Sequence, residues 1–216
     1  MPPISGGRNK HRVAKASPMR VLVVFSHPCK ESFNAALCKK VVETLKDQGH
    51  EVRLSDLYAK GFDPVMSAEE RRGYHTLQAN TEPVAEDLAD IMWCEATVFV
   101  YPTWWFGLPA MLKGWLERVW VPHETFQMPT ATHGARPKMQ HIKRIAVVTT
   151  CGASWWLSKL IGEPGRKTIL RGIGILCRPG CKTLYLAHYK MDSSTRESRE
   201  RYLHKVGRKI AAFTAQ

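Results

Sequence analysis

Several features that would assign this 216-residue chain to a specialised class are missing from it. No apolar run approaches the roughly 20 residues that a membrane-spanning helix needs. No basic segment followed by an apolar one marks the N-terminus as a secretory signal. We therefore expect a protein of the cytoplasm with no membrane span, and the chain length favours one globular domain with a substantial core.

Metal-binding and disulfide patterns are missing as well. The six cysteines include no CxxC pair, and no group of cysteines and histidines has the spacing of a zinc site. Four of them fall within predicted strands and helices or at their ends, rather than in a framework of loops. We expect reduced thiols and no metal site; the cysteines are Cys29, Cys38, Cys94, Cys151, Cys177 and Cys181.

The sequence has neither a GxGxxG fingerprint nor a Walker loop, so classical dinucleotide and nucleoside triphosphate binding are not indicated. Its formal net charge is +13, yet no recognised nucleic-acid motif accompanies that charge, and we expect no nucleic-acid partner. The excess is spread mostly over the folded part. It fits either a well-solvated basic surface or the attraction of an anionic cofactor.

Residues 1–18 are rich in Pro, Gly, Ser and basic residues and show no apolar period, which predicts a basic flexible tail. Residues 19–216 are predicted to form a single domain. Met19 directly precedes the first predicted strand and is a second candidate start of the chain. An organelle-targeting peptide is a further interpretation of the tail, although such peptides are usually longer and richer in serine.

Five short apolar runs alternate with helical patterns beyond the tail. The predicted strands are Met19–Phe25, Glu51–Leu54, Thr97–Tyr101, residues 142–149 and Lys182–Ala187. The predicted helices run from the N-cap Ser32 to about Gly49, from Ser67 to Gly73, from Pro83 to about Cys94, from Leu108 onward, and over Arg166–Cys177 and Ser193–Phe213. The alternation predicts an α/β fold with a five-stranded doubly wound parallel sheet, flavodoxin-like in its order 2-1-3-4-5, and helices on both faces.

Three loops follow the first, third and fourth strands and should share the carboxyl edge of that sheet, where ligands of open α/β sheets bind. The first leads through His27 and Ser32 into a helix, and a helix N-terminus attracts phosphate; simple capping by Ser32 is the alternative. The second, Pro102–Gly107, is aromatic and begins where we expect Pro102 to break the strand. The third is the polar stretch Thr149–Ser154.

The residues in these loops resemble one family. His27-Pro28, Ser32-Phe33-Asn34, the block PTWWFGLPAMLKGWLERV from Pro102 to Val119, and Thr149-Thr150 with Gly152 are similar to the NAD(P)H:quinone oxidoreductase (DT-diaphorase) family. The potassium-efflux ancillary oxidoreductases belong to the same wider group. The resemblance covers about Arg20 to Phe213, and its middle block is the most specific part.

The resemblance implies a non-covalently bound flavin at the sheet edge and a set of cofactor-binding residues. The first loop would hold the flavin phosphates, the second would flank the isoalloxazine ring near its N5, and the third would lie against its pyrimidine edge. Donors in the third loop would stabilise negative charge on the reduced ring. The implied residues are His27, Ser32, Phe33, Asn34, Pro102, Thr103, Trp104, Trp105, Phe106, Thr149, Thr150, Cys151 and Gly152.

The function that the resemblance implies is two-electron transfer from NADH or NADPH through the flavin to a quinone-type acceptor, by ping-pong hydride transfer. FAD is the expected flavin, with FMN as the alternative, and a homodimer is expected. Reduction of azo or nitro compounds and electron carriage by a flavodoxin-like protein are alternative functions. The sequence decides neither the donor nor the physiological acceptor.

The chain departs from the family where tyrosines and a histidine would stabilise charge. Phe126 and Met128, with His123 nearby, stand in one such loop, and Trp155, Trp156 and Gly162 stand in the other. We therefore assign no side-chain acid or base. His188, with Arg196 and Arg199, is interpreted either as a contact to cofactor phosphate or as part of a solvated face. Trp115, Trp120 and Met111 are predicted to be core or dimer contacts.

Overall fold

The computed structural model describes residues 17–215, and most of the predicted tail, residues 1–16, lies outside that range. Five parallel strands form the main sheet in the order β2-β1-β3-β6-β7. Counted along the chain within this sheet, that is the predicted order 2-1-3-4-5, which is confirmed. The strands are β1 (Arg20–Phe25), β2 (Glu51–Asp56), β3 (Ala96–Thr103), β4 (Phe126–Gln127), β5 (Arg136–Pro137), β6 (Arg144–Cys151) and β7 (Lys182–His188), of which β4 and β5 form a separate antiparallel pair.

Helices fill the connections between the strands. They are α1 (Phe33–Asp47), α2 (Ala68–Gly73), α3 (Ala85–Trp93), α4 (Ala110–Val119), α5 (Trp155–Ile161), α6 (Pro164–Lys167) and α7 (Arg196–Thr214). Short 3-10 turns cover Glu82–Val84, Gly174–Leu176 and Met191–Ser193, and a π-helical turn covers Thr168–Ile173. Within residues 17–215, no helix is long and apolar enough to cross a membrane.

Both faces of the sheet are buried because successive strand side chains point to opposite sides. In β1, Leu22 and Val24 join a cluster with buried residues of α3 and α4. Val21 and Val23 join a second cluster, which contains buried residues of α1 and α7. The sheet therefore lies between two helical layers.

The strand β3 does not break at Pro102, as the sequence predicted, but continues to Thr103. Pro102 is paired with Thr150 of β6. The Val100 carbonyl accepts from the Ser26 N–H at 3.0 Å on the β1 side. The backbone of Pro102, two residues further on, points to the same side, but β1 has already ended there. The missing N–H of the proline therefore removes no hydrogen bond between the two strands. Residues Thr149–Cys151, predicted as part of the third loop, likewise belong to a strand, β6.

The helix α5 was not predicted, and the segment after it is less regular than predicted. Ser154 caps α5 by accepting from the Leu157 N–H at 3.3 Å. Ser158 is the one buried residue of this helix, so no apolar period marked it in the sequence. The single helix predicted over Arg166–Cys177 is instead a run of α, π and 3-10 turns.

Trp115 and Trp120 are both core residues. Trp115 is fully buried, packs edge-on against Phe99 at 6.2 Å between ring centroids, and donates from Nε1 to Asp87 Oδ1 at 2.6 Å. Trp120 is 4% exposed. Neither ring is available to a second chain, so of the two predicted roles, core or dimer contact, the core role is confirmed for both residues. All six cysteines are free thiols, as predicted.

Candidate functional site

A pocket of about 700 Å³ opens at the carboxyl edge of the sheet, between the ends of β1, β3 and β6. Ten of the thirteen residues that the sequence predicted for a cofactor line it, together with two that it did not predict. The lining residues are His27, Ser32, Phe33, Asn34, Pro102, Thr103, Trp104, Trp105, Thr150, Gly152, Met191 and Asp192.

The first wall is the N-terminus of α1. Ser32 adopts the extended conformation of an N-cap, and its Oγ accepts from the Ala35 N–H at 3.1 Å. The N–H groups of Phe33 and Asn34, in the first turn, have no acceptor within the helix. This end of a 15-residue helix therefore presents free donors and the positive end of the helix dipole to the pocket.

His27 adds a side-chain donor to the same wall. Its Nδ1 accepts from the Cys29 N–H at 3.0 Å, which leaves the proton of the neutral ring on Nε2. Burial lowers the pKa of His27, and the ring is tilted against Trp104 with centroids 5.9 Å apart. The imidazole is thus held as a neutral Nε2–H donor, and an anion placed beside it would raise its pKa.

A buried hydrogen bond joins the first wall to β6. The Asn34 side chain is 4% exposed, and its Nδ2 donates to Thr150 Oγ1 at 2.8 Å. Asn34 Oδ1 is buried and has no hydrogen-bond partner among the residues that the structure describes. An unsatisfied buried acceptor at the edge of a pocket can be satisfied by a donor on a ligand.

The second wall is a tight turn between β3 and α4. Trp104 and Gly107 form an antiparallel bridge, and the Gly107 N–H donates to the Trp104 carbonyl at 2.9 Å. The two central residues, Trp105 and Phe106, have φ values of 48° and 62°. Positive φ at both positions is typical of a type I′ turn, which favours Gly and Asn; for bulky residues it costs about 1–2 kcal/mol each. These backbone angles fix where the N–H groups of the turn point.

The third wall is the end of β6. Thr149 lies behind the pocket surface, fully buried, with its Oγ1 2.9 Å from Thr103 Oγ1. A Cβ on Gly152 would lie 2.6 Å from Asp192 Oδ2, so only glycine allows this carboxylate to approach. The loop thus places a backbone segment and one carboxylate at the rim.

Two predicted residues, Phe106 and Cys151, line an adjoining cavity of about 260 Å³ with Trp105, Gly152 and Ser158. Burial raises the pKa of the Cys151 thiol, so this group stays protonated at neutral pH. The three predicted loops are therefore brought together, and the predicted residues occupy the main pocket, its neighbour or, for Thr149, the layer directly behind.

Met191 and Asp192 were missed because they follow β7, which is two strands away from the point between β1 and β3 where the pocket was expected. Lys190 reverses the chain with a φ of 54°, and its N–H donates to the Ala153 carbonyl at 3.1 Å. This contact folds the Met191–Ser193 turn back over Gly152. The pattern of apolar and polar residues carries no sign of that reversal.

His188 does not reach the pocket, and it is not part of a solvated face either. It is buried beside Phe33 and Tyr202, with ring centroids 5.6 Å and 4.9 Å away, and burial lowers its pKa. Arg196 pairs with Glu200 on the exposed side of α7. The residues in the two loops where the resemblance implied tyrosines and a histidine also lie outside the main pocket: His123, Phe126, Met128, Trp155, Trp156 and Gly162.

The arrangement can bind a flat, anionic molecule. Donors for a phosphate converge at one end, a rigid aromatic turn forms one side, and threonine hydroxyls form the other. His27 and Asp192 are the ionisable side chains that line this pocket, and within residues 17–215 no ion pair joins the two. Reaction chemistry at this site would therefore come from the bound molecule.

Comparison with known proteins gives consistent results. The family model described as "Flavodoxin-like fold" matches residues 19–174. NAD(P)H dehydrogenase (quinone) 1 of Rattus norvegicus is 36% identical over 167 residues, which is 70% of this chain and 60% of the rat protein. The chain spans about half the length of the curated relatives it matches.

Two solved structures show the same fold. The NAD(P)H:quinone oxidoreductase from Methanothermobacter marburgensis superposes with a TM-score of 0.75 at 24% identity, covering 90% of this chain and 98% of that one. An FMN-dependent NADH-azoreductase from Bacillus anthracis, solved in complex with FMN, gives a TM-score of 0.71 at 17% identity, covering 91% and 99% of the two chains.

Proposed function

Because this chain belongs to the flavodoxin-like fold family, we propose that its pocket binds a flavin without a covalent link and that the protein is an NAD(P)H oxidoreductase. It would pass two electrons from NADH or NADPH to a quinone-type acceptor. The observation that carries the proposal is the convergence, at one sheet edge, of a free helix N-terminus, a strained aromatic turn and a threonine wall. The name of the rat relative supports the choice of donor and acceptor.

The residues of the first wall fit a flavin phosphate. His27 Nε2–H, the Ser32 hydroxyl and the N–H groups of Phe33 and Asn34 would donate to its oxygens. The buried Asn34 Oδ1, which has no partner among residues 17–215, would accept from a hydroxyl of the same molecule. A carboxylate, phosphate or sulfate alone would leave that acceptor unsatisfied.

The other two walls fit the ring. The Trp105–Phe106 turn would offer backbone N–H groups on one side, and Thr150 and the Gly152 backbone, supported from behind by Thr149, would form the other. When bound, the flavin would supply the hydride acceptor and the two-electron store. Fixed donors around it would stabilise the negative charge of the reduced form without reorganising during the reaction.

The form of the flavin is tested by its mass. FAD is the sequence-based expectation, and FMN is the alternative, which the FMN complex of the Bacillus anthracis relative favours. Heat release followed by mass spectrometry distinguishes the two directly. Reconstitution of the apo protein with each flavin in turn, followed by fluorescence quenching, gives the ratio of the two dissociation constants.

One pocket would serve donor and acceptor in turn, so we propose ping-pong kinetics. Initial rates with varied NADPH at several fixed menadione concentrations should give parallel double-reciprocal lines. Intersecting lines would contradict the shared site, because they require both substrates to be bound together.

Azo-compound reduction is a second candidate within the same chemistry, favoured by the azoreductase fold relative. The discriminating quantity is kcat/KM with menadione against that with an azo dye, at one NADPH concentration. An electron carrier would instead show rapid reduction by a partner protein and negligible steady-state oxidation of NADPH.

We also propose a homodimer, with α5 in the interface instead of Trp115 and Trp120. Trp155, Trp156 and Leu160 are 56%, 68% and 68% exposed on this helix. An apolar surface of this kind commonly marks an interface. Light scattering on a size-exclusion column should give a dimer mass for the wild type and a smaller mass for Leu160→Ser. Ile175→Ser, which changes an apolar residue equally exposed elsewhere, should leave the dimer intact.

A further inference from the structure

Gly162 makes room for a cation beside the proposed site. Its φ is 92°, in the region that side chains rarely adopt, and it ends α5. A Cβ at this position would lie 3.0 Å from Lys167 Nζ. The ammonium group of Lys167 therefore folds back over the glycine, in the space that a larger residue would fill.

Lys167 belongs to a cluster of cations that line a cavity of about 160 Å³. Arg166, Arg171 and Thr183 of β7 line the same cavity. Lys167 and Arg171 are four residues apart on one helical run, where like charges repel each other by a few tenths of a kcal/mol. A bound anion would relieve that repulsion.

The carboxylate of the cavity, Glu163, pairs with Arg166 but with neither Lys167 nor Arg171. Its side chain is 4% exposed and accepts from Lys159 Nζ at 2.6 Å, Arg166 at 2.9 Å and Tyr189 Oη at 2.7 Å. Burial alone would raise the pKa of Glu163, but these three donors hold the pKa below its ordinary value. The carboxylate is therefore ionised, and its charge is already compensated by these donors. No carboxylate of residues 17–215 forms an ion pair with Lys167 or Arg171.

One member of the cluster, Arg166, reaches the ring end of the proposed flavin site. Glu163 and Arg166 also face a small gap bounded by Phe106, Cys151 and Ser158. Those three residues line the cavity that borders the main pocket. A molecule with one end at Phe106 is thus next to Arg166. The phosphate end of the flavin would lie on the opposite side of the site, at α1.

We propose that Arg166, Lys167 and Arg171 bind a phosphate monoester of the electron donor, the 2′-phosphate of NADPH, and so make NADPH the preferred donor. This inference rests on the proposed function. A phosphate monoester carries nearly two negative charges at neutral pH, and guanidinium groups bind it with two parallel hydrogen bonds. NADH has a hydroxyl in place of this phosphate and would gain nothing from Lys167 or Arg171.

The test compares the two donors in Arg171→Gln and Lys167→Gln holoenzyme, with menadione as acceptor. We expect kcat/KM for NADPH to fall about tenfold through KM, as for the loss of one charged hydrogen bond, and kcat/KM for NADH to stay unchanged. Arg72→Gln, on the exposed helix α2, is the control and should change neither value. An equal loss for both donors, or no loss for either, would overturn the inference.

A binding measurement separates this inference from the proposed function. Calorimetric titration of the wild type with adenosine 2′,5′-bisphosphate and with AMP needs no turnover, and the bisphosphate should bind about tenfold more tightly. Arg171→Gln should abolish that preference while its thermal midpoint stays at the wild-type value. If the wild type shows no preference, or if inorganic phosphate displaces both ligands equally well, the cluster does not recognise the donor.

Discussion

A substitution at Gly114 tests how closely α4, the helix after the aromatic turn, packs against Pro64. A Cβ at this position would lie 2.7 Å from Pro64 Cα and closer still to the Pro64 carbonyl oxygen. These are backbone atoms, which no rotamer change can move. Alanine would gain about 1 kcal/mol from helix propensity. Overpacking against backbone costs about 1–3 kcal/mol or more, and we take the upper end here because the overlap is severe.

We therefore expect Gly114→Ala to lower the free energy of unfolding by about 2 kcal/mol, or Tm by about 4–8 °C for a domain of this size. The control is Gly207→Ala in α7, where a new Cβ would meet the end of the Lys40 side chain, at 2.7 Å from Cε. That flexible chain can swing away, so Tm should be unchanged or rise by a few degrees. Both variants are compared by calorimetry in the same buffer. A Gly114→Ala protein as stable as Gly207→Ala would refute the close approach of α4 to Pro64.

Three further predictions concern the site and its surroundings. Asn34→Ala removes the buried hydrogen bond to Thr150 and should weaken flavin binding about tenfold or more, as measured by fluorescence titration. An unchanged flavin affinity would contradict the place of Asn34 in the first wall of the site. Burial lowers the pKa of His188, so the unfolded chain binds a proton at this residue at a higher pH than the folded protein does. The free energy of unfolding should therefore fall as pH drops below about 6.5. His188→Phe should flatten this part of a plot of Tm against pH, and an unaltered plot would contradict the role of His188. Glu163→Gln leaves Lys159 and Arg166 without their carboxylate and should lower the free energy of unfolding by about 1–3 kcal/mol, measured with denaturant. Glu117→Gln removes the carboxylate of an exposed ion pair and should cost below about 1 kcal/mol. Equal costs would contradict the role of Glu163 as a buried partner of these cations.

The sheet and its three site loops could be predicted from the sequence because their signals are local. The first buried strand, for example, is the continuous apolar run Val21–Phe25, and it leads into the periodic helix α1. Alternation of strands and helices leaves few topologies, and the switch point then follows from strand order. Ser32 as a cap follows from residue type and position alone, and its geometry is confirmed.

The remaining features depend on contacts between distant segments. Asp192 reaches the pocket because Lys190 reverses the chain and bonds to Ala153, which residue types alone do not show. Pro102 stays in its strand because β1 ends opposite Val100, two residues before the proline. The helix α5 was missed because it exposes nearly all its apolar residues, as an interface helix would. Lys167 Nζ has space to lie over Gly162 because that residue has no Cβ.

The proposal that this pocket holds a redox-active flavin is tested most directly by an anaerobic titration. The purified protein, reconstituted with FMN or FAD if it is isolated without one, is titrated with NADPH and then with menadione while the visible flavin absorbance is followed. We predict one flavin per chain, complete bleaching by one equivalent of NADPH and complete recovery with one equivalent of menadione. A protein that binds neither flavin, or one whose bound flavin NADPH and NADH leave oxidised, would contradict the account.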